Sequence, residues 1–296
     1  MSACLPFGTL YGNSRFSLHL QHMELAGKLD IDVLKRNNVK VSGKGNSTMV
    51  FAHGYGCDQN VWEDIIKDFS SEYQVVTFDY VGAGMSDLSA YTKERYSTLE
   101  GYAKDIEEIY ETLGLHDTYL VAHSVSSMIG LLVGIKHPEY FKKIIFLGPS
   151  PRYLNDQDYF GGFDREDLEG LFDMMDKNYL GWSEALAPTI MGNADRPELG
   201  VRLTNSFCAT DPEIAKQFAR VTFLSDNRTD IGELTVPSLI LQCANDIIAP
   251  LEVGQYMHEH MPESTLVILD ATGHCPHMSA PAETVQEIKK YITNLT

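Results

Sequence analysis

Thr118–Tyr–Leu–Val–Ala–His–Ser124–Val–Ser–Ser–Met–Ile–Gly–Leu–Leu–Val133 joins a short β-favouring run, a cluster of small residues and a run with helical spacing. This pattern predicts a strand, a sharp turn and a helix, with Ser124 on the turn. Such a turn lifts the serine hydroxyl above the sheet edge. The usual signature is Gly-x-Ser-x-Gly, but Ala122 and Ser126 hold the flanking positions here. Serines in such turns also occur as helix caps, so a nucleophile needs further support from the chain.

Two more polar residues follow predicted strands. Asp246 comes after Leu239–Gln242, and His274 comes after Leu266–Leu269. The order Ser, Asp, His is one that serine hydrolases with this turn use. A histidine can accept the serine proton, and a carboxylate orients the histidine and stabilises the cation that forms. We therefore predict that Ser124, Asp246 and His274 form a catalytic triad. The neighbouring Asn245 carries no charge and is the weaker candidate.

An early strand is followed by His53–Gly54–Tyr55–Gly56, a flexible turn that can aim backbone N–H groups at the same edge of the sheet. Together with the N–H of Val125, the N–H of Tyr55 is predicted to form an oxyanion hole. His53 and His123 are expected to hydrogen-bond structurally in their turns.

Strand and helix signals alternate along most of the chain. Predicted strands and helices are Val39–Val41, Thr48–Ala52, the helix around Val61–Phe69, Gln74–Phe78, the helix that includes Tyr102 and Leu113, Lys143–Leu147, Ser238–Gln242, Thr265–Leu269 and the helix Val285–Ile292. Such alternation indicates an α/β fold with a mostly parallel sheet flanked by helices. Residues 33–150 and 236–296 are predicted to form this core, and residues 1–32 an extension to which no function is assigned.

Between the two parts of the core, residues 151–235 show a helical pattern only. This helical insertion contains 16 acidic and 8 basic residues and is rich in aromatic side chains. An acidic solvated surface is the simplest explanation of the charge, and partner binding is the alternative. The aromatics predicted to line a substrate pocket are Tyr159, Phe163, Trp182 and Phe223.

Composition restricts the classes of partner. A net charge of −18 argues against nucleic acid and anionic membranes, because both would repel the chain. No apolar run is long enough to span a membrane, and the first thirty residues lack the pattern of a secretory signal. Five cysteines, far apart and odd in number, favour a reducing compartment, so we expect a cytoplasmic protein.

Competing motifs are weaker. Gly82–Ala–Gly84 lacks the third glycine of a dinucleotide fingerprint, since Asp87 stands there. His274–Cys–Pro–His277 resembles a metal clip that His258 and His260 could join, but no second ligand pair supports it. Cys275 lacks a base and a nucleophile turn of its own. We expect neither a metal nor a cofactor.

From about Val33 onward, the chain resembles the α/β-hydrolase superfamily. Within it, the chain resembles the RsbQ-like bacterial stress-response hydrolases and the related plant strigolactone and karrikin receptors. The stretches that carry the resemblance are Val33–Val39, His53–Gln59, Phe78–Gly84, His123–Ser126, Pro149–Asp156, Gly161–Phe163, Gln242–Pro250 and Gly273–Met278. The last two look closer to the RsbQ-like hydrolases than to the plant receptors.

The resemblance implies a Ser124–Asp246–His274 triad and a four-helix, V-shaped lid over an apolar pocket. It also implies that a small hydrophobic molecule is hydrolysed or sensed, and that a PAS-domain phosphatase is the partner in the general stress response. Tyr55 stands where relatives commonly have Phe. The alternative is a metabolic carboxylesterase or C–C-bond hydrolase with the same triad and no signalling role.

Overall fold

The computed structural model describes residues 31–293. Its sheet contains the strands β1 (Lys40–Gly43), β2 (Ser47–Ala52), β3 (Tyr73–Thr77), β4 (Thr118–His123), β5 (Phe141–Leu147), β6 (Ser238–Asn245) and β7 (Ser264–Thr272). Their order in the sheet is β1-β3-β2-β4-β5-β6-β7. β1 pairs antiparallel with β3, and every other pairing is parallel. The predicted strands, including the adjacent placement of β6 and β7, are confirmed.

Helices cover both faces of the sheet. The core helices are α1 (Ile31–Arg36), α2 (Glu63–Ile66), α3 (Leu99–Leu113), α4 (Val125–Lys136), α9 (Leu251–His260), α10 (Pro276–Ser279) and α11 (Pro281–Thr293). The central strands alternate between two apolar clusters. Phe51 and Val121 belong to one cluster, and their neighbours Val50 and Leu120 belong to the other. These strands are therefore buried on both faces, which explains their nearly continuous apolar sequence.

The helical insertion supplies α5 (Arg165–Lys177), α6 (Tyr179–Met191), α7 (Pro197–Ala209) and α8 (Pro212–Phe223) between β5 and β6. Its first part is not helical, so the prediction of helix throughout is wrong there. Residues 151–163 form isolated β-bridges instead, including one between Arg152 and Asp226. Pro151 interrupts helical hydrogen bonding, and Asn155 Oδ1 accepts from the N–H groups of Gly161 and Gly162.

Of two other predictions, one differs from the structure and one concerns residues that the structure mostly does not describe. The helix expected around Val61–Phe69 divides into a 3₁₀ turn at Gln59–Trp62 and the short α2. Most of the predicted extension, residues 1–32, lies outside the described residues, and α1 already begins at Ile31. Within residues 31–293, no helix is both long enough and apolar enough to cross a membrane.

Candidate active site

Ser124 occupies the turn between β4 and α4. Its backbone has φ of 56° and ψ of −123°, a strained conformation for a residue with a side chain. The turn is anchored by a hydrogen bond from the Ser124 N–H to the Leu147 carbonyl oxygen at 2.9 Å. The strain is therefore held by the adjacent strand β5, as expected for a turn that presents a reactive side chain.

Close packing explains why the flanking residues are small. A Cβ at Gly54 would lie 2.6 Å from His123 Nδ1 and 3.2 Å from Ser124 Cβ, so the loop after β2 approaches the turn closely. Ser126 stands where the usual signature has glycine. Its hydroxyl donates to the His53 carbonyl oxygen at 2.5 Å and lies 2.9 Å from the Tyr80 hydroxyl. The departure from the signature thus adds two hydrogen bonds across the turn.

His274 and Asp246 complete a chain of hydrogen bonds with Ser124. His274 Nε2 lies 2.7 Å from Ser124 Oγ, and His274 Nδ1 lies 2.7 Å from Asp246 Oδ2. The other carboxylate oxygen, Oδ1, accepts from the N–H groups of Ile248 at 2.8 Å and Ala249 at 3.2 Å. Because a carboxylate only accepts, Nδ1 carries the proton, and Nε2 is free to accept the serine proton. All three side chains are buried.

The His274 turn is tied to the helical insertion. The Gly273 N–H donates to the Asn245 carbonyl at 2.7 Å, and the His274 N–H donates to the Ile190 carbonyl at 2.9 Å. Gly273 has φ of 87°, and a Cβ there would lie 1.9 Å from the Met191 carbonyl oxygen. Asn245 therefore supports the turn through its backbone, while Asp246 contacts the imidazole.

Two further histidines lie behind the reactive edge. The rings of His123 and His277 are 4.5 Å apart, and His123 Nε2 donates to the His274 carbonyl oxygen at 2.8 Å. Burial lowers the pKa of His123 to about 3, and the nearby His274 adds to the effect. Burial also lowers the pKa of His277 well below its usual range. Both rings are therefore neutral at pH 7. His53, by contrast, accepts from the Tyr80 N–H at 3.3 Å, the structural role predicted for it.

A cavity opens beside Ser124. Most of its wall is apolar or sulfur-containing, and the insertion provides part of it. The lining residues are Tyr55, Cys57, His123, Ser124, Tyr153, Ile190, Leu203, Phe207, Thr222, Phe223, Ile248, His274 and Cys275. A largely apolar wall with a few polar groups suits a small organic ligand.

Of the four predicted pocket aromatics, only Phe223 belongs to this lining. Phe163 packs against Phe223, with ring centroids 5.8 Å apart. Trp182 stacks on Phe207 at 6.0 Å and so lies one layer behind the wall. Tyr159 packs against Tyr256 at 4.8 Å. Aromatic density predicted an apolar element, but the packing of each helix decides which face reaches the cavity.

The two predicted oxyanion donors belong to the two turns that pack together at Ser124. Val125 is the first residue of α4, and its N–H has no acceptor within the helix. Tyr55 follows the glycine that packs against the Ser124 turn, and it lines the cavity.

The rejected motifs have structural explanations. After Gly82–Ala–Gly84 the chain forms a 3₁₀ turn in place of the helix that a dinucleotide-binding loop would precede. The Asp79 carboxylate accepts a hydrogen bond from the Met85 N–H at 2.9 Å within this loop. Within residues 31–293, no group of three or more His, Cys, Asp or Glu residues is arranged to hold a metal ion. Burial raises the pKa of the Cys275 thiol well above its usual range, which suppresses the reactive thiolate.

Sequence reasoning missed most of the cavity wall. Tyr153 lies within the Pro149–Asp156 stretch that carries the family resemblance, which was an available signal. Thr222 and Leu203 sit on insertion helices whose orientation a helical pattern alone does not reveal.

Comparison with known proteins agrees with this architecture. A family model described as the alpha/beta hydrolase fold matches residues 47–281. A karrikin insensitive 2 receptor from Petunia hybrida is 37% identical over 88% of this chain and 97% of its own length. A strigolactone esterase from Arabidopsis thaliana is likewise 37% identical, over 88% of this chain and 97% of its own length.

Among solved structures, a hydrolase from Oleispira antarctica superposes with a TM-score of 0.88 and 44% sequence identity, covering 90% of this chain and 98% of its own. The predicted fold class is thereby confirmed. With its seven-stranded sheet, its serine turn and these relatives, the chain belongs to the alpha/beta hydrolase fold family.

Proposed function

We propose that this protein is a serine hydrolase for a small hydrophobic ester or lactone, with Ser124, His274 and Asp246 as its catalytic triad. One observation carries the proposal: the continuous hydrogen-bonded chain from Asp246 through His274 to Ser124, which ends at the wall of a largely apolar cavity. That the Arabidopsis thaliana relative is named an esterase supports the reaction class.

The reaction follows from the geometry. His274 Nε2 takes the proton of Ser124 Oγ across 2.7 Å while Oγ attacks the carbonyl carbon of the substrate. Asp246 stabilises the imidazolium that forms. The N–H groups of Tyr55 and Val125 would receive the developing oxyanion. The imidazolium then donates its proton to the leaving alcohol oxygen as the C–O bond breaks. Water hydrolyses the acyl-enzyme by the same sequence.

Covalent labelling tests the nucleophile directly. A fluorophosphonate should add one phosphonyl group to the protein, and peptide mass spectrometry should locate it on Ser124. A buried serine such as Ser183, whose hydroxyl donates to the Tyr179 carbonyl at 2.9 Å, should stay unlabelled. Failure to label, or labelling elsewhere, would contradict the proposal.

We infer further that the hydrolase acts in signalling, as an RsbQ-like positive regulator of a PAS-domain phosphatase in the cytoplasm. Support comes from the stretches Gln242–Pro250 and Gly273–Met278, from the receptor named among the relatives, and from the acidic outer surface of the insertion. The alternative is a metabolic carboxylesterase or C–C-bond hydrolase without a partner.

Reconstitution with the phosphatase separates these two functions. A signalling hydrolase should raise phosphatase activity in a dose-dependent manner, whereas a metabolic enzyme should leave it unchanged. The Ser124→Ala variant in the same assay would show whether hydrolysis is required.

A further inference from the structure

The segment that carries the proposed base, residues 272–279, begins at the last residue of β7 and ends before α11, and we call it the base loop. Its two ends meet, because the Ser279 hydroxyl donates to the Thr272 carbonyl oxygen at 3.2 Å. Between these ends, the His274 N–H donates to the Ile190 carbonyl oxygen at 2.9 Å. Ile190 also lines the cavity described above. One residue of α6 therefore contacts both the backbone of the base and the space that a substrate would occupy.

Two side chains of the turn that follows α6 hold the ends of the base loop. Asn193 Nδ2 donates to the Thr272 carbonyl oxygen at 2.8 Å, and Arg196 Nη1 donates to the Ser279 carbonyl oxygen at 2.7 Å. Arg196 Nη2 also donates to Asn193 Oδ1, so the two side chains support each other. We call Asn193 and Arg196 the clamp. Together with the Ile190 carbonyl, the clamp fixes the base loop at its start, middle and end.

The backbone of the clamp turn is shaped for this contact. Asn193 has φ of 55°, a left-handed conformation that asparagine adopts more readily than most residues. The preceding Gly192 has φ of 62°, and a Cβ there would lie 3.0 Å from Thr272 Cγ2. The Arg196 N–H closes the turn by donating to the Asn193 carbonyl oxygen at 2.8 Å. The clamp therefore belongs to a tight turn of the insertion and not to a helix face.

We propose that Asn193 and Arg196 are positioning residues for hydrolysis. Proton transfer from Ser124 Oγ to His274 Nε2 requires that their separation of 2.7 Å be kept during the reaction. The imidazole moves with its backbone, and the clamp holds that backbone from the side of the insertion. This inference rests on the proposed function, because it concerns the base of the same reaction.

Removal of the clamp should slow the chemical step more than it weakens binding. Arg196→Met keeps the apolar stem and removes the guanidinium, and Asn193→Gly keeps the left-handed backbone and removes the amide. Each should lower kcat for 4-nitrophenyl hexanoate by about tenfold to 100-fold, because a small displacement of a reacting group has an effect of this size. KM should change by less than about threefold, since the cavity wall is retained.

Two further readouts separate positioning from folding. The rate at which a fluorophosphonate labels Ser124 should fall in parallel with kcat, because that reaction also needs His274 to take the serine proton. Arg196→Lys restores a donor for the Ser279 carbonyl oxygen and should recover part of both rates. All assays are run well below the melting transition, so a loss of stability alone would leave both rates unchanged.

Matched control variants remove comparable groups elsewhere in the insertion. Gln217 Nε2 donates to the carbonyl oxygens of Lys93 at 2.8 Å and Tyr96 at 3.1 Å, so Gln217→Met removes hydrogen bonds between the insertion and the core away from the base loop. Arg220 pairs with Asp176 at 2.6 Å, so Arg220→Met removes a positive charge within the insertion. Both variants should keep kcat and the labelling rate within about twofold of the wild type.

Hydrogen exchange distinguishes failure of this inference from failure of the proposed function. In Arg196→Met and Asn193→Gly, the His274 amide should exchange about tenfold faster than in the wild type, whereas Gln217→Met should leave it unchanged. If both clamp variants keep wild-type kcat and labelling rates, or wild-type exchange, the clamp is overturned and the hydrolase assignment stands. If the wild type neither hydrolyses esters nor is labelled, the hydrolase assignment is wrong, and faster exchange would still show that the clamp holds the base loop.

Discussion

The edge of the sheet and the helical insertion contribute to the cavity in different ways. At the edge, the reactive groups are held by backbone constraints: the positive φ values of Ser124 and Gly273, and the close approach of Gly54. Their polar atoms are paired with one another. In the insertion, side chains from helix faces form the wall, and Thr222 leaves a hydroxyl without a protein partner.

This difference assigns the chemical step to the edge of the sheet and substrate selectivity to the helix faces of the insertion. A backbone turn positions an atom within a few tenths of an ångström, which proton transfer requires. A helix face provides shape and apolar surface, and it can change residues without disturbing the turn. We therefore expect substitutions at the edge to abolish the reaction, and substitutions on the helix faces of the insertion to change the substrate or the partner.

The largest effect is expected from the proposed nucleophile. Ser124→Ala should leave the protein folded and reduce kcat/KM for 4-nitrophenyl hexanoate by about 10⁴ to 10⁶, because only the oxyanion donors and binding remain. Steady-state kinetics with an unchanged circular dichroism spectrum would check this. Turnover close to that of the wild type would remove Ser124 from the mechanism.

Two glycine-to-alanine substitutions, one at the edge of the sheet and one in the insertion, compare how well each backbone tolerates an added Cβ. Gly273→Ala should lower the free energy of unfolding by about 3 kcal/mol or more, because the left-handed backbone and the contact with the Met191 carbonyl both oppose a Cβ. At Gly170 in α5, an added Cβ would have no neighbouring atom within 4 Å. Gly170→Ala should therefore raise the free energy of unfolding by about 0.5–1 kcal/mol. Urea titration measures both, and equal effects would contradict the comparison.

Acid should destabilise the region behind the edge. An unfolded histidine titrates near pH 6.5, whereas His123 titrates at about 3 in the folded protein. Between these values the unfolded chain binds one more proton than the folded chain, so the free energy of unfolding decreases as the pH is lowered. From His123 alone, the decrease between pH 7 and pH 5 is about 2 kcal/mol. Above pH 6.5 the contribution is fully present.

His277 contributes in the same direction, since its pKa is also lowered. His277→Phe should keep the ring contact with Trp62 and make the fall in stability between pH 7 and 5 shallower. His116→Gln, at an exposed position, should leave the slope as it is. A slope unaffected by His277→Phe would argue against a buried neutral ring.

The smallest effect on hydrolysis is expected on the outer surface of the insertion. Glu166 and Asp173 are exposed on α5, and Asp173 pairs with Lys177 at 2.5 Å. Exposed pairs of this kind contribute little to stability. Glu166→Lys and Asp173→Lys should therefore change ester hydrolysis less than twofold while weakening activation of the phosphatase. Glu111→Lys on α3 is the matched control. If activation survives several such reversals, the partner binds elsewhere.

The sequence predicted the sheet well because its signals are local. Strands such as Thr118–His123 are apolar along their whole length, and a parallel sheet places the ends of its strands at one edge. Ser124, Asp246 and His274 could therefore be proposed together before any contact was known. The non-helical start of the insertion was not predicted, because its form depends on the bridge from Arg152 to the distant Asp226.

The sequence alone therefore determined the alternation of strands and helices and the residue types at the ends of the strands. Only the tertiary structure decided which insertion side chains face the cavity, and it selected Tyr153, Thr222 and Phe223 over Tyr159, Phe163 and Trp182. It also decided that His123 and His277 are buried and neutral. The reason is physical: periodicity assigns a side chain to one face of its own helix, but the packing angles between helices decide what that face meets.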